Sequence, residues 1–374
     1  MRIGIPKEVK NHEYRVAITP IGVHELTAHG HQVVVERGAG AGSSIRDEEY
    51  AGAGATIVPD ADAAWGSGGG IDLVLKVKEP VAEEYHRMRE GLTLFTYLHL
   101  AADNRLTGEL LERKVTAIAY ETVQLPSGAL PLLYPMSEVA GCLAPQVGAS
   151  ALMKAQGGRG VLMGGVGAVA NAKVVIIGAG VSGQNAANVA LGMGADVTLV
   201  DTDLDKLRMS FWRYNNRVHG LAASRLATEQ QVIEADLVIG AVLVPGAAAP
   251  KLVSNELVSR MKPGSVLVDI AVDQGGCFED TRPTTHSDPT YQVHNSTFYC
   301  VANMPGAVPN TSRYALTNAT MPYAVALADK GWQRACRDDH SLALGLNTHA
   351  GQLTNAAVGE AVGIAAAKLD EVLG

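Results

Sequence analysis

The chain has 374 residues, too many for one comfortable hydrophobic core, so two domains are expected. Apolar residues make up 47% and charged residues 18%, and the net charge of -8 comes without a basic run, which excludes nucleic acid as a partner. MRIGIPKEVK opens as a strand and turns polar, and no stretch offers the roughly 20 apolar residues of a membrane span, so a cytoplasmic protein is expected. Cys142, Cys277, Cys300 and Cys336 lack CxxC spacing and read as reduced, buried thiols, not zinc ligands or disulfides.

Residues 1 to about 135 alternate apolar runs (RIGI, QVVVE, ATIV, IDLVLK, LTLFTYL, VTAIAY) with helical segments at Pro20–Ala28, Glu83–Glu90 and Asn104–Arg113. That alternation is the signature of a parallel α/β sheet. Thr19 and Pro20 suit an N-cap and first helical residue, and Gly30 a helix stop. Two glycine clusters, at 38–42 and 66–70, lack strand, helix and acid context and read as loops. Met136 to Gln156 reads as a long helix, bent or broken at Pro145 because proline there costs roughly 3 kcal/mol.

The stretch 173–201, KVVIIGAGVSGQNAANVALGMGADVTLVD, organises the rest. Val174 to Ile177 form a buried strand, and Gly178, Gly180 and Gly183 follow, giving in turn a tight turn, backbone access to a pyrophosphate, and close helix packing. The next helix presents its N-terminal partial charge to phosphates. Asp201, ending the following strand, can accept both ribose hydroxyls and would repel a 2′-phosphate, so NAD is favoured over NADP. Three fixed glycines alone arise by chance roughly 0.5 times in so glycine-rich a chain; the flanking strand and acid lower that to roughly 0.01.

Two further buried strands, DLVIGAVLVPG and SVLVDIAVDQGG, place 242–245 and 269–276 at strand ends where ligands of such sheets bind. From Pro305 the text is helical, as at Leu316–Lys330 and Ala356–Val372; with little strand it must pack on an earlier sheet.

A dinucleotide site needs a substrate partner. Arg15 could clamp a carboxylate with its planar fork. Lys76 and Lys78 fall on one strand face, and spacing does not choose between them. His99, at a strand end in apolar surroundings, could move protons near neutral pH. Asp269 and Asp273 bracket IAV, and one of them could assist while the other caps a turn. The remaining histidines show no metal spacing.

Taken together, RIGIPKEVKNHEYRVAITP, LKVKEP, FTYLHLAA, PMSEVAG, VDIAVDQGGCFE, VANMPGAVPNTS and ALTNATMPY resemble the alanine dehydrogenase family almost end to end. More weakly, the chain resembles the soluble NAD-binding subunit of proton-translocating transhydrogenase, the alternative reading. The resemblance implies NAD-dependent reversible oxidative deamination of L-alanine to pyruvate and ammonium, with Arg15 and Lys78 on the substrate and His99 and Asp273 as acid and base. For the cofactor it adds Ser137, Val181, Ser182, Val242, Leu243, Asn303 and Met304 to the glycines and Asp201. It implies two Rossmann-like doubly wound domains with a cleft between them: a discontinuous substrate domain, 1–135 plus 306–374, and an NAD-binding domain, 136–305. A homohexamer is the family's usual assembly. Two departures are visible: GGVGAV replaces the more usual GGVPGV, and Pro145 stands where similar sequences carry a small helix former.

Overall fold

Short β-branched runs fold as strands, and those at the centre of each sheet are buried on both faces. The first six are β1 (Arg2–Ile5), β2 (Gln32–Glu36), β3 (Thr56–Val58), β4 (Leu73–Leu75), β5 (Thr93–Thr96) and β6 (Thr116–Ala119). The middle of the chain adds β7 (Lys173–Ile177), β8 (Asp196–Asp201), β9 (Val218–Ala222), β10 (Leu237–Gly240), β11 (Val266–Asp269), β12 (Thr290–Val293) and β13 (Ser296–Tyr299). Near the C-terminus come β14 (Leu346–His349) and β15 (Gln352–Leu353). The computed structural model describes residues 1–242 and 249–374, which divide into two units, Met1–Met136 with Val308–Gly374, and Ser137–Ala307.

In the first unit the sheet order is β15-β14-β6-β5-β4-β1-β2-β3, with β1 to β6 parallel and the last two strands antiparallel additions at one edge. In the second it is β12-β13-β11-β10-β7-β8-β9, parallel except for β12. Both orders reverse direction beside their first strand, at β1/β4 and at β7/β10. Loops leaving the carboxyl ends of those strands are therefore where a ligand is expected. Under the first sheet Trp65, Val74, Leu94, Leu98, Leu106 and Leu110 share one core; in the second unit Val175, Val238, Leu267, Phe278 and Phe298 do. Each such side chain contributes about 1.5–3 kcal/mol by leaving water.

Several local expectations need correction. The helix Tyr134–Ala151 runs unbroken through Pro145, and only Lys154–Gln156 beyond it is a separate 3-10 turn. Proline lacks the N–H for one helical bond and crowds the carbonyl four residues back, yet the 18-residue helix continues past it. The helix expected from Leu316 begins at Pro309, which takes the first-turn position where its missing N–H costs nothing. Ala356–Val372 is two helices, Ala356–Val362 and Leu369–Leu373, separated at Gly363 with φ of 71°. The segment expected to be helical around Glu83–Glu90 holds only a 3-10 turn, Tyr85–Arg87. At the GGVGAV departure the chain makes a tight turn, Val169 N–H donating to Val166 O at 2.8 Å, with Ala168 at φ of 63°. That conformation favours glycine, so the alanine is strained by about 1 kcal/mol.

Candidate functional site

Four adjacent strand ends in the first unit supply its charged groups. After β1 the chain places Arg15, only 2% exposed, against Glu13. Arg15 donates from Nε and Nη2 to the two Glu13 oxygens at 2.7 and 2.5 Å, and from Nη1 to Met136 Sδ at 2.9 Å. Burial would push the Glu13 carboxyl up, but the guanidinium's charge and hydrogen bonds outweigh it and hold the group at about 2. The pair is a fixed fork.

After β4 the two lysines part company. Lys76, 1% exposed, donates to Glu84 Oε1 at 2.8 Å and to Glu8 Oε2 at 3.2 Å, with the Trp65 ring 5.9 Å away. Glu8 Oε1 also accepts the Val77 N–H at 2.6 Å, and Glu84 Oε2 that of Val81 at 3.0 Å. Lys78, 9% exposed, stands outside this network, and its charge bears on Glu13 and Glu79 instead. Glu79 pairs with Lys10; burial would raise its carboxyl, yet Lys78, His99 and Lys10 together hold it below the usual range.

His99 follows β5 in a left-handed conformation, φ 52°, which an ordinary side chain adopts only under constraint. Glu121, after β6, supplies that constraint by accepting the backbone N–H of His99 at 2.6 Å and of Leu98 at 3.1 Å. The imidazole lies parallel to the Tyr97 ring, centroids 5.8 Å apart and planes within 13°. Tyr97 is itself pinned by its hydroxyl, which donates to Leu132 O at 2.5 Å. A half-buried imidazole on a rigid aromatic platform is suited to proton transfer.

The second unit holds the glycine turn. Gly178 has φ of 107° and donates its N–H to Val200 O, so the chain leaves β7 along a path closed to other residues. A Cβ at Gly183 would overlap the Gly178 carbonyl oxygen, whereas one at Gly180 would meet nothing within 4 Å. Close packing on one side and open space on the other is what a pyrophosphate cradle requires. Val181 and Ser182 open the helix Val181–Gly192, and Ser182 Oγ donates to Ser137 O at 2.9 Å. Asp201 ends β8; its oxygens accept Ala179 N–H at 2.6 Å and Asp203 N–H at 2.8 Å, orienting the carboxylate beside the turn with lone pairs left for ribose hydroxyls. These residues fit a dinucleotide.

Val242 follows β10 and its side chain approaches Gly178; Leu243 lies outside the described residues. After β11 the two acids differ. Asp269 is fully buried, accepting from Ala271 N, Cys277 N and Thr281 Oγ1 at 3.0, 2.8 and 2.5 Å, while Asp273 sits exposed in the 3-10 turn Val272–Gln274. Asn303 offers its carbonyl to His286 Nε2 at 2.8 Å, and Met304 is buried at the start of the next 3-10 turn. Among the described residues no three His, Cys, Asp or Glu side chains are grouped to hold a metal.

Residues 4–140 match the Alanine dehydrogenase/PNT N-terminal domain family, and residues 144–356 the Alanine dehydrogenase/PNT C-terminal domain family. The chain belongs to the alanine dehydrogenase family. It is 62% identical to the alanine dehydrogenase of Mycolicibacterium smegmatis over 96% of both chains. A solved L-alanine dehydrogenase superposes with a TM-score of 0.92 at 48% identity, covering all of both chains. A transhydrogenase structure from Sinorhizobium meliloti is more distant, TM-score 0.78 at 26% identity over 95% of this chain and 99% of that one.

In this member of the alanine dehydrogenase family, the first unit brings Arg15, Lys78 and His99 to the same end of one sheet. The second gathers Ser137, Gly178, Gly180, Val181, Ser182, Gly183 and Asp201 around one turn. Sequence reasoning missed the acids around this group: Glu13 on Arg15, Glu121 on the His99 backbone, Glu79 beside Lys78, and Glu8 and Glu84 on the neighbouring Lys76. The available signal was charge at strand ends in otherwise apolar text, which marks buried ion pairs without saying who pairs with whom.

Proposed function

We propose that the chain catalyses the reversible reaction of L-alanine, NAD and water to pyruvate, ammonium, NADH and a proton, as a cytoplasmic homohexamer. The observation that carries this reading is identity above 60% over nearly the whole length of an alanine dehydrogenase. In it, the unit containing both chain ends takes the substrate and the central unit takes NAD.

Arg15, its fork aligned by Glu13, and Lys78, left outside the Lys76 network, grip the substrate carboxylate. Fixing that end orients Cα, and positioning of this kind removes much of the barrier. Bound NAD, held by the glycine turn, Asp201, Ser137, Val242, Leu243, Asn303 and Met304, would supply the acceptor for the hydride that leaves Cα. His99, through its ring nitrogen, and Asp273, through its carboxylate, move the remaining protons: from the water that adds to Cα and to the nitrogen that departs. In amination the same groups act in reverse.

The test is an absorbance assay. NAD with L-alanine should generate NADH, pyruvate with ammonium should consume it, and His99→Ala should lower turnover by about 10²–10⁴-fold while NAD affinity by calorimetry stays within about twofold. NAD binding without amino-acid turnover in the parent chain would instead favour the transhydrogenase-like role that the more distant structural likeness suggests.

A further inference from the structure

Three buried charges beside the substrate loops, Glu8, Lys76 and Glu84, have no part in the chemistry above. Each of them is over nine-tenths buried. The cluster joins two loops that the reaction needs: Glu8 belongs to the loop that goes on to Arg15, and Lys76 and Val77 lead directly into Lys78. Glu8 bridges them twice, accepting Lys76 Nζ at 3.2 Å and the Val77 backbone N–H at 2.6 Å. Glu84 also holds Lys76, at 2.8 Å, but its other oxygen goes to Val81, beyond Lys78 and Pro80.

We propose that the Glu8–Lys76–Glu84 cluster is the positioning element of the carboxylate grip, with Glu8 the member that sets Lys78 against Arg15 through the backbone of Val77. The proposal rests on the reading of Arg15 and Lys78 as that grip. Arg15 and Lys78 lie on loops leaving the paired strands β1 and β4. Besides the more exposed Lys10–Glu79 pair, Glu8 ties those loops together in the interior, next to Lys78, and so bears on the spacing a single carboxylate must span. A mis-spacing of even 1 Å is costly for binding and rate.

Burial drives the Glu8 carboxyl up to about 7; Lys76 and the Val77 N–H pull it down, and Glu13 and Glu84 push it further up. Arg15 and Tyr120 also feel its charge. As pH falls through 7 Glu8 takes up a proton, its hold on Lys76 weakens, and Lys76 is left to Glu84.

Steady-state amination of pyruvate by the full-length enzyme, with saturating NADH and ammonium, tests this. At about pH 8, Glu8→Gln should raise KM for pyruvate about tenfold with kcat within about threefold, and Glu84→Gln should raise it less than about threefold. The ratio of the Glu8→Gln KM to the parent KM should shrink toward one as pH is lowered to about 6. A merely stabilising network would make the two substitutions alike, since both acids are equally buried and both bind Lys76; equal KM effects, or an unchanged KM in Glu8→Gln, overturn the proposal. Should Glu8→Gln not fold, Glu8→Asp keeps the charge at shorter reach and must still raise KM. Lys78→Ala separates the two readings: if it leaves KM unchanged the grip itself is wrong, and if it raises KM while Glu8→Gln does not, only the positioning role fails.

Discussion

A guanidinium as buried as that of Arg15 is tolerable because Glu13 meets it with both carboxylate oxygens. Removing one partner strands the other, so Glu13→Gln should cost about 3 kcal/mol in urea unfolding, more than the charge removed at any exposed pair. The pH dependence has a definite sign. The Glu13 carboxyl is held at about 2 against an ordinary 4.5, so its contribution is complete above 4.5 and disappears only as pH falls toward 2. A parent protein whose stability lost nothing between about pH 5 and 2, or a Glu13→Gln variant as stable as the parent, would contradict this account. Arg15 could be singled out in the sequence as a possible carboxylate clamp because its planar guanidinium suits that group. Glu13 was not, because an acid two residues away in a loop pairs with it only in one backbone conformation.

At the level of the element, the glycine turn separates two roles that share one motif. Gly183 is needed for packing: alanine there collides with the backbone of Gly178, and the helix Val181–Gly192 must shift from β7. Gly180 leaves open space where a side chain would stand, which in the proposed NAD site is the access a pyrophosphate needs. Gly183→Ala should therefore lower thermal stability by several degrees even without cofactor, whereas Gly180→Ala should leave the melting temperature nearly unchanged and weaken NAD binding by about tenfold or more. Equal melting temperatures for the two variants would refute the division. The turn was readable because its physics is local, lying in three glycines, a strand and an acid within thirty residues. The unbroken helix through Pro145 was not, because a propensity of about 3 kcal/mol is decided by what the helix packs against.

For the whole molecule, the first sheet is assembled from both ends of the chain, β14 pairing antiparallel with β6. The sequence implied that the C-terminal residues pack on an earlier sheet, but not that they add strands to it: LNTH and QL are too short and too polar to stand out, and only pairing to an existing edge makes them strands. A second link between the chain ends is electrostatic. Asp329, at the end of the helix Pro309–Lys330, accepts from His29 Nδ1 at 3.0 Å and His31 Nε2 at 2.7 Å, across roughly three hundred residues of chain. The hydrogen bond and charge of Asp329 raise His29 above its ordinary 6.5, and the two imidazoles hold Asp329 below its ordinary 3.8. A raised histidine stabilises fully below 6.5 and ceases to do so as pH climbs through its folded value; a lowered aspartate stabilises fully above 3.8 and ceases as pH drops through its own. The link is therefore strongest between those limits. The melting temperature should fall as pH rises from about 6 to about 9, and Asp329→Asn should both lower it at pH 6 and flatten that fall. The side chains are partly exposed, so about 1 M salt should reproduce much of the flattening in the parent. A parent and an Asp329→Asn variant with superimposable melting profiles across that range would show that the chain ends are held by the sheet alone.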